Sequence, residues 1–144
     1  MKKTKVVSFK KFGDIRVGER AQFEITITEE LVDAFAKLSG DYNPLHTNEV
    51  YAKNSPFSSR IAHGMLAGAL FSRLLGMQLP GEKCLYLSQS LFFRKPMRIG
   101  IKVVVSGEVL HKTDSLQTLT IQTRVSDKQT DEVLTDGEAI VKLV

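Results

Sequence analysis

At 144 residues, 42% hydrophobic and 25% charged, the sequence fits one domain, 1–144, with enough apolar side chains for a substantial core. A formal net charge of +4, with no Lys/Arg stripe and no interleaved aromatics, excludes nucleic acid as the expected partner, and no apolar run reaches the roughly 18–20 residues of a membrane span. The single cysteine, Cys84, excludes an intramolecular disulfide, and the histidines, His46, His63 and His111, are too scattered to suggest a metal site, so no metal or cofactor is expected; the basic 1–11 segment lacks the apolar stretch of a secretory signal, which points to the cytoplasm.

In chain order, Phe23, Ile25 and Ile27 alternate with polar residues, the period of a half-buried strand. Thr28 is placed to cap a helix whose first turn carries Glu29 and Glu30, favourable at the positive end of the helix dipole, and whose apolar face reads Leu31, Phe35, Leu38. The run Ser39-Gly40-Asp41-Tyr42-Asn43-Pro44 breaks that helix, and a short second one is expected near residues 49–53. The segment from Gly64 to Gly76 has only Ser72 and Arg73 as polar residues, so it predicts a helix buried on nearly every side. Cys84 follows as a small core residue at the start of a strand, not a nucleophile. Strands come next: Leu85, Leu87, Leu91 and Phe93 on one face of the first; Ile101, Val103, Val105 and Val109 on the second; Leu119, Ile121 and Val125 on the third; Ala139, Val141 and Leu143 on the last. A buried helix followed by antiparallel strands predicts an α+β domain with the sheet wrapped around that central helix, the hot-dog arrangement. The long strand left at the edge predicts pairing into a homodimer or higher homo-oligomer.

The chemistry concentrates at 39–46. Asp41 and His46 place a carboxylate and an imidazole five residues apart on a turn, where Pro44 biases Asn43 toward extended backbone. Such a pair can take a proton from water and deliver one elsewhere, with Asn43 holding the water or the carboxylate. The same residues read equally well as turn and cap chemistry. Gly64, expected to open the buried helix, could offer its backbone N–H to a developing oxyanion, or could merely ease a tight turn. His63 beside it suits a structural hydrogen bond at least as well as chemistry. Ser72 would reach the acidic group or bond back to its own helix, and Leu75 on the same face would wall an acyl pocket together with Val141.

Together these residues resemble the MaoC-like, (R)-specific enoyl-CoA hydratase family. Ser39, Asp41, Asn43, Pro44, Leu45 and His46, then Phe57, Ile61, His63, Gly64 and Met65, follow its two motifs in order, and the likeness runs through most of the chain from about Gly18. Ser58-Ser59 and Ile101 depart from the family's usual glycines and aspartate. The resemblance implies a hot-dog homodimer acting on acyl-CoA thioesters. It implies Asp41 and His46 as the acid–base pair, the Gly64 N–H at the oxyanion, and a supporting role for Asn43. The product would be an (R)-3-hydroxyacyl-CoA, a monomer supply from β-oxidation for polyhydroxyalkanoate. The nearest alternative is a 3-hydroxyacyl-[acyl-carrier-protein] dehydratase. A thioesterase is disfavoured because the segment after Gly64 holds no Asp or Glu, and a non-catalytic acyl-thioester-binding module would leave the Asp41–His46 pairing without a purpose.

Overall fold

The alternation of the C-terminal third builds three long strands, β4 (Lys102–Thr113), β5 (Thr118–Asp127) and β6 (Val133–Leu143), in the computed structural model, which describes residues 5–144. Residues 1–4 of the basic N-terminal segment lie outside the described residues. β4 pairs with β5 and β5 with β6, both antiparallel, with Val105 opposite Val125 and Ile121 opposite Ala139. The shorter β1 (Arg20–Thr26) pairs with β4, with Phe23 opposite Val105. On the far side β2 (Cys84–Gln89) and the two-residue β3 (Phe92–Phe93) both pair with β6, giving the order β1-β4-β5-β6-β2. The long strands are therefore interior and the sheet's edges are short, which corrects the expectation of a long edge strand.

Among the described residues four α-helices precede β2: α1 (Glu29–Ser39), α2 (Pro44–Thr47), α3 (Glu49–Lys53) and α4 (Leu66–Met77). α1 starts where expected, the Thr28 hydroxyl accepting from the Leu31 N–H at 3.1 Å. Its seated face is Val32 and Ala36, flanked by Leu31 and Phe35; Leu38 is 84% exposed. A shift of one residue around the helix, about 100° of rotation, accounts for the difference, because Val32 and Ala36 are an i, i+4 pair that sequence spacing alone does not rank above Leu31 and Phe35.

α4 lies on the inner face of the sheet, as the hot-dog arrangement requires. Phe71 and Leu74 pack with Val103, Val105 and Val125, while Leu75 packs with Val109, Ile121 and Val141 toward the other end. Each such side chain contributes about 1.5–3 kcal/mol of burial. The helix is not enclosed on nearly every side: Ala69, Ser72 and Arg73 face out, and the Arg73 guanidinium lies 4.0 Å over the Phe23 ring. In the outer strand the faces are the reverse of those expected. Cys84 and Tyr86 turn inward while Leu85 and Leu87 are exposed, and the strand shifts register between Tyr86 and Ser88 before β3 begins. Leu91 does reach the core, resting 3.5 Å from the position a Cβ would take on Gly68.

Candidate active site

The site is assembled where α1 ends. Gly40 closes the helix in the left-handed region (φ 77°), its N–H bonded to the Ala36 carbonyl at 2.9 Å. The chain that leaves it is held by its own short side chains. The Ser39 hydroxyl donates to the Phe35 carbonyl at 2.8 Å and accepts from the Asp41 N–H at 3.1 Å. Asp41 Oδ1 accepts from the Asn43 N–H at 3.1 Å, and Asn43 Oδ1 accepts from the Leu45 N–H at 3.0 Å. Asn43 is thus the N-cap of α2, with Pro44 as that helix's first residue. Its side-chain oxygen accepts from the backbone, so Asn43 fixes the turn that carries His46.

Asp41, His46 and His63 converge, with one side-chain atom from each lying within 4.8 Å of the others. Two of the histidines that looked scattered in sequence therefore face each other, with ring centroids 4.0 Å apart and a 30° interplanar angle. His46 Nδ1 lies 2.8 Å from the Ile61 carbonyl, so Nδ1 carries the proton and donates it there. In the neutral ring this leaves the Nε2 lone pair available. His63 is 2% exposed, stacked at 4.8 Å on Phe35, and its Nε2 donates to the Asp41 carbonyl at 2.9 Å. That bond ties the Asp41 main chain to the strand-like segment before α4, and the same nitrogen stands 4.0 Å from Asp41 Oδ2. The Asp41 side chain is half-exposed, and Oδ2 faces no closer donor among the described residues.

The three groups also test as a cation site. His63 directs its proton-bearing nitrogen at a carbonyl, and its other ring nitrogen, Nδ1, is buried without a partner. Only the Asp41 carboxylate and His46 Nε2 are open donors, one fewer than the three protein ligands of a catalytic zinc site. What the arrangement offers is proton transfer between a carboxylate and an imidazole.

Gly64 sits in the turn two residues ahead of α4 rather than inside the helix, its carbonyl accepting from the Ala67 N–H at 3.0 Å. No described residue accepts from the Gly64 N–H. A Cβ at this position would lie 3.0 Å from the Phe93 ring, so only glycine leaves room beside that N–H. Gly64 and His46 wall one cavity of about 390 Å³ with Phe57, Met65, Phe93 and Met97. Arg94 and Lys95 stand at its border, each already facing an acid: Arg94 Nε to Asp136 at 3.1 Å, Lys95 Nζ to Glu132 at 3.2 Å.

Other expected site residues fall elsewhere. Ser72 lines a separate hollow on the open side of α4 with Ala69 and Arg73 and does not reach Asp41. Leu75 and Val141 are fully buried together at the other end of the core, away from the cavity that His46 and Gly64 line. Cys84 is half-buried and burial pushes its thiol up to about 11, an inert setting. The sequence reading missed Arg60, a buried arginine whose Nε donates to the His46 carbonyl at 2.6 Å; its one signal was a cation set directly before the apolar Ile61-Ala62 pair.

Residues 14–131 match the family described as "MaoC like domain". The chain is 40% identical over 132 residues to a 3-hydroxybutyryl-CoA dehydratase of Methylorubrum extorquens, covering 92% of this chain and 83% of that protein. It is 40% identical over 129 residues to the (R)-specific enoyl-CoA hydratase of Aeromonas caviae, covering 90% and 96%. The solved structure of the Aeromonas caviae (R)-hydratase, described as involved in PHA biosynthesis, superimposes with a TM-score of 0.87 over 91% of this chain and 98% of that one. An unliganded (R)-hydratase of Pseudomonas aeruginosa, 37% identical, superimposes with a TM-score of 0.88, covering 92% and 84%.

Proposed function

Because the chain belongs to the MaoC-like domain family, we propose that it is an (R)-specific enoyl-CoA hydratase, a hydro-lyase that adds water reversibly across the double bond of a trans-2-enoyl-CoA to give the (R)-3-hydroxyacyl-CoA. The observation that carries the reading is the convergence of the Asp41 carboxylate on His46, a residue that lines the same cavity as Gly64, whose N–H has no partner among the described residues.

The thioester carbonyl accepts from the Gly64 N–H, which draws electrons from C3 and stabilises the enolate oxygen as it forms. Asp41 takes a proton from water as the water oxygen bonds to C3, His46 Nε2 helps position that water, and the same proton passes from Asp41 through His46 Nε2 to C2 on the same face, leaving both groups as they began. Phe57, Met65, Phe93 and Met97 supply the apolar wall for the acyl chain. The substrate brings the only coenzyme needed. No described helix is long and apolar enough to cross a membrane, and a coenzyme A thioester substrate fits a cytoplasmic enzyme. The exposed Leu85 and Leu87 on the edge strand β2 support a homodimer formed there.

The test follows the ultraviolet absorbance of crotonyl-CoA, hexenoyl-CoA and octenoyl-CoA, with chiral analysis of the product. Loss of the conjugated thioester by wild type, giving the (R) product, and no comparable loss by Asp41→Asn is the expected result. Inertness toward all three, with turnover of the same acyl groups on a carrier protein, would reassign the enzyme to carrier-protein substrates. Inertness toward both leaves the acyl-thioester-binding module.

A further inference from the structure

We propose that Arg60 is a positioning residue which, together with Asp33, sets the approach of the His46 imidazole to the Asp41 carboxylate; the proposal rests on the reading of those two groups as the acid–base pair. Arg60 is 8% exposed, and a guanidinium so buried is held only by good partners. Its Nε donates to the His46 carbonyl at 2.6 Å, and one terminal nitrogen reaches Asp33 Oδ1 at 2.5 Å. The other terminal nitrogen lies 3.9 Å from Glu29 Oε1. Glu29 and Asp33 are one turn apart on α1, so the guanidinium lies along that helix.

The two ends of this link are the two carriers of the chemistry. α1 delivers Asp41 two residues after its last turn, through Ser39 and Gly40. α2 carries His46. Arg60 therefore fixes the spacing of α1 and α2, and its neighbour Ile61 completes the hold: the Ile61 carbonyl takes the His46 Nδ1 proton, and the Ile61 N–H donates to the Leu45 carbonyl at 3.4 Å. Residue 46 is gripped at its main chain by Arg60 and at its ring by Ile61. A buried guanidinium must satisfy its N–H groups, and the acceptor Arg60 Nε meets is the carbonyl of the reacting residue. A lysine has one charged point and cannot bridge that carbonyl and Asp33 in the same fixed fork.

The test compares Arg60→Lys, Arg60→Met and Asp33→Asn in kcat, KM and thermal midpoint, and records the ring ¹⁵N resonances of His46 and His111. We expect kcat to fall by roughly ten- to a hundredfold in the arginine variants, the scale of a displacement near 1 Å, with KM little changed. Asp33→Asn keeps an oxygen acceptor and should fall between them and wild type. His46 resonances should move while those of His111 stay. Folded Arg60→Lys and Asp33→Asn proteins with wild-type kcat and unmoved His46 resonances would overturn the proposal, and so would a loss of kcat that merely follows the thermal midpoint while His46 stays in place. If wild type is inert on every thioester but the His46 resonances still move with Arg60, the acid–base reading fails and the positioning stands. If Arg60→Met does not fold, the other two variants decide.

Discussion

The α4–β4–β5–β6 body and the 39–64 segment are fixed in opposite ways. In the body, apolar side chains fill both ends of the sheet, and its buried polar Thr123 is satisfied by the Gly137 carbonyl and the Gln89 amide. In the 39–64 segment the shape comes from directional bonds between short polar side chains and main chain, at Ser39, Asp41, Asn43 and Thr47, largely at the surface. Burial is tolerant of direction and intolerant of lost volume; hydrogen bonding is the reverse. A reactive group set in the second kind of frame can change its chemistry without the body noticing.

That contrast can be broken first at Asp41. Asp41→Asn should lower hydration of crotonyl-CoA by about 10²–10⁴-fold. Its thermal midpoint should hardly move, because the amide oxygen still accepts from the Asn43 N–H. Unfolding of that variant at ordinary temperature would tie site and stability together and sink the distinction. Ile121→Ala should do the opposite, losing about 2–5 kcal/mol in denaturant unfolding while kcat in the folded range stays near wild type, since Ile121 lies at the end of the core away from the site. Gly64→Ala sharpens the boundary. Its methyl would press the Phe93 ring at 3.0 Å, so turnover should drop by roughly tenfold, and Phe93→Leu in the same protein should recover part of it. The smallest effect is at Cys84. With its thiol raised to about 11 by burial, the neutral form dominates at pH 8, so iodoacetamide should react far more slowly than with a free thiol and speed up as pH rises toward 11. The same upward shift means that this group's contribution to stability is complete below the unfolded thiol's range and fades as pH climbs through about 11.

The body was readable because alternation has a single solution once both neighbours of a strand are present. Val103, Val105 and Val109, Leu119, Ile121 and Val125, and Ala139, Val141 and Leu143 all turn inward as their spacing says. At the edge the same rule failed: nothing in the run Leu85–Leu87 tells which face has a partner, and the register shift after Tyr86 resets it. The chemical segment was readable as a motif but not as a geometry. Asn43 is a cap because Pro44 follows it, and the one-turn α2 that results escaped a search for periodicity. The approach of His63 to Asp41 spans 22 residues, and Arg60 acts across 27 to Asp33; such contacts leave no local pattern. Leu75 shares a helix with the site yet faces the far end of the core, which a helical wheel drawn without its sheet does not reveal.

Three bonds that hold this cluster end on main-chain oxygens: those of Ile61, His46 and Asp41, taken by His46, Arg60 and His63. A carbonyl is the same whatever side chain its residue carries. Ile61 lines the cavity and holds the imidazole through its backbone carbonyl, a bond that does not depend on which side chain residue 61 carries. For an engineer, residue 61 is a dial: exchanging isoleucine for valine, leucine or methionine reshapes the room offered to the acyl group and leaves the proton-transfer apparatus anchored where it was.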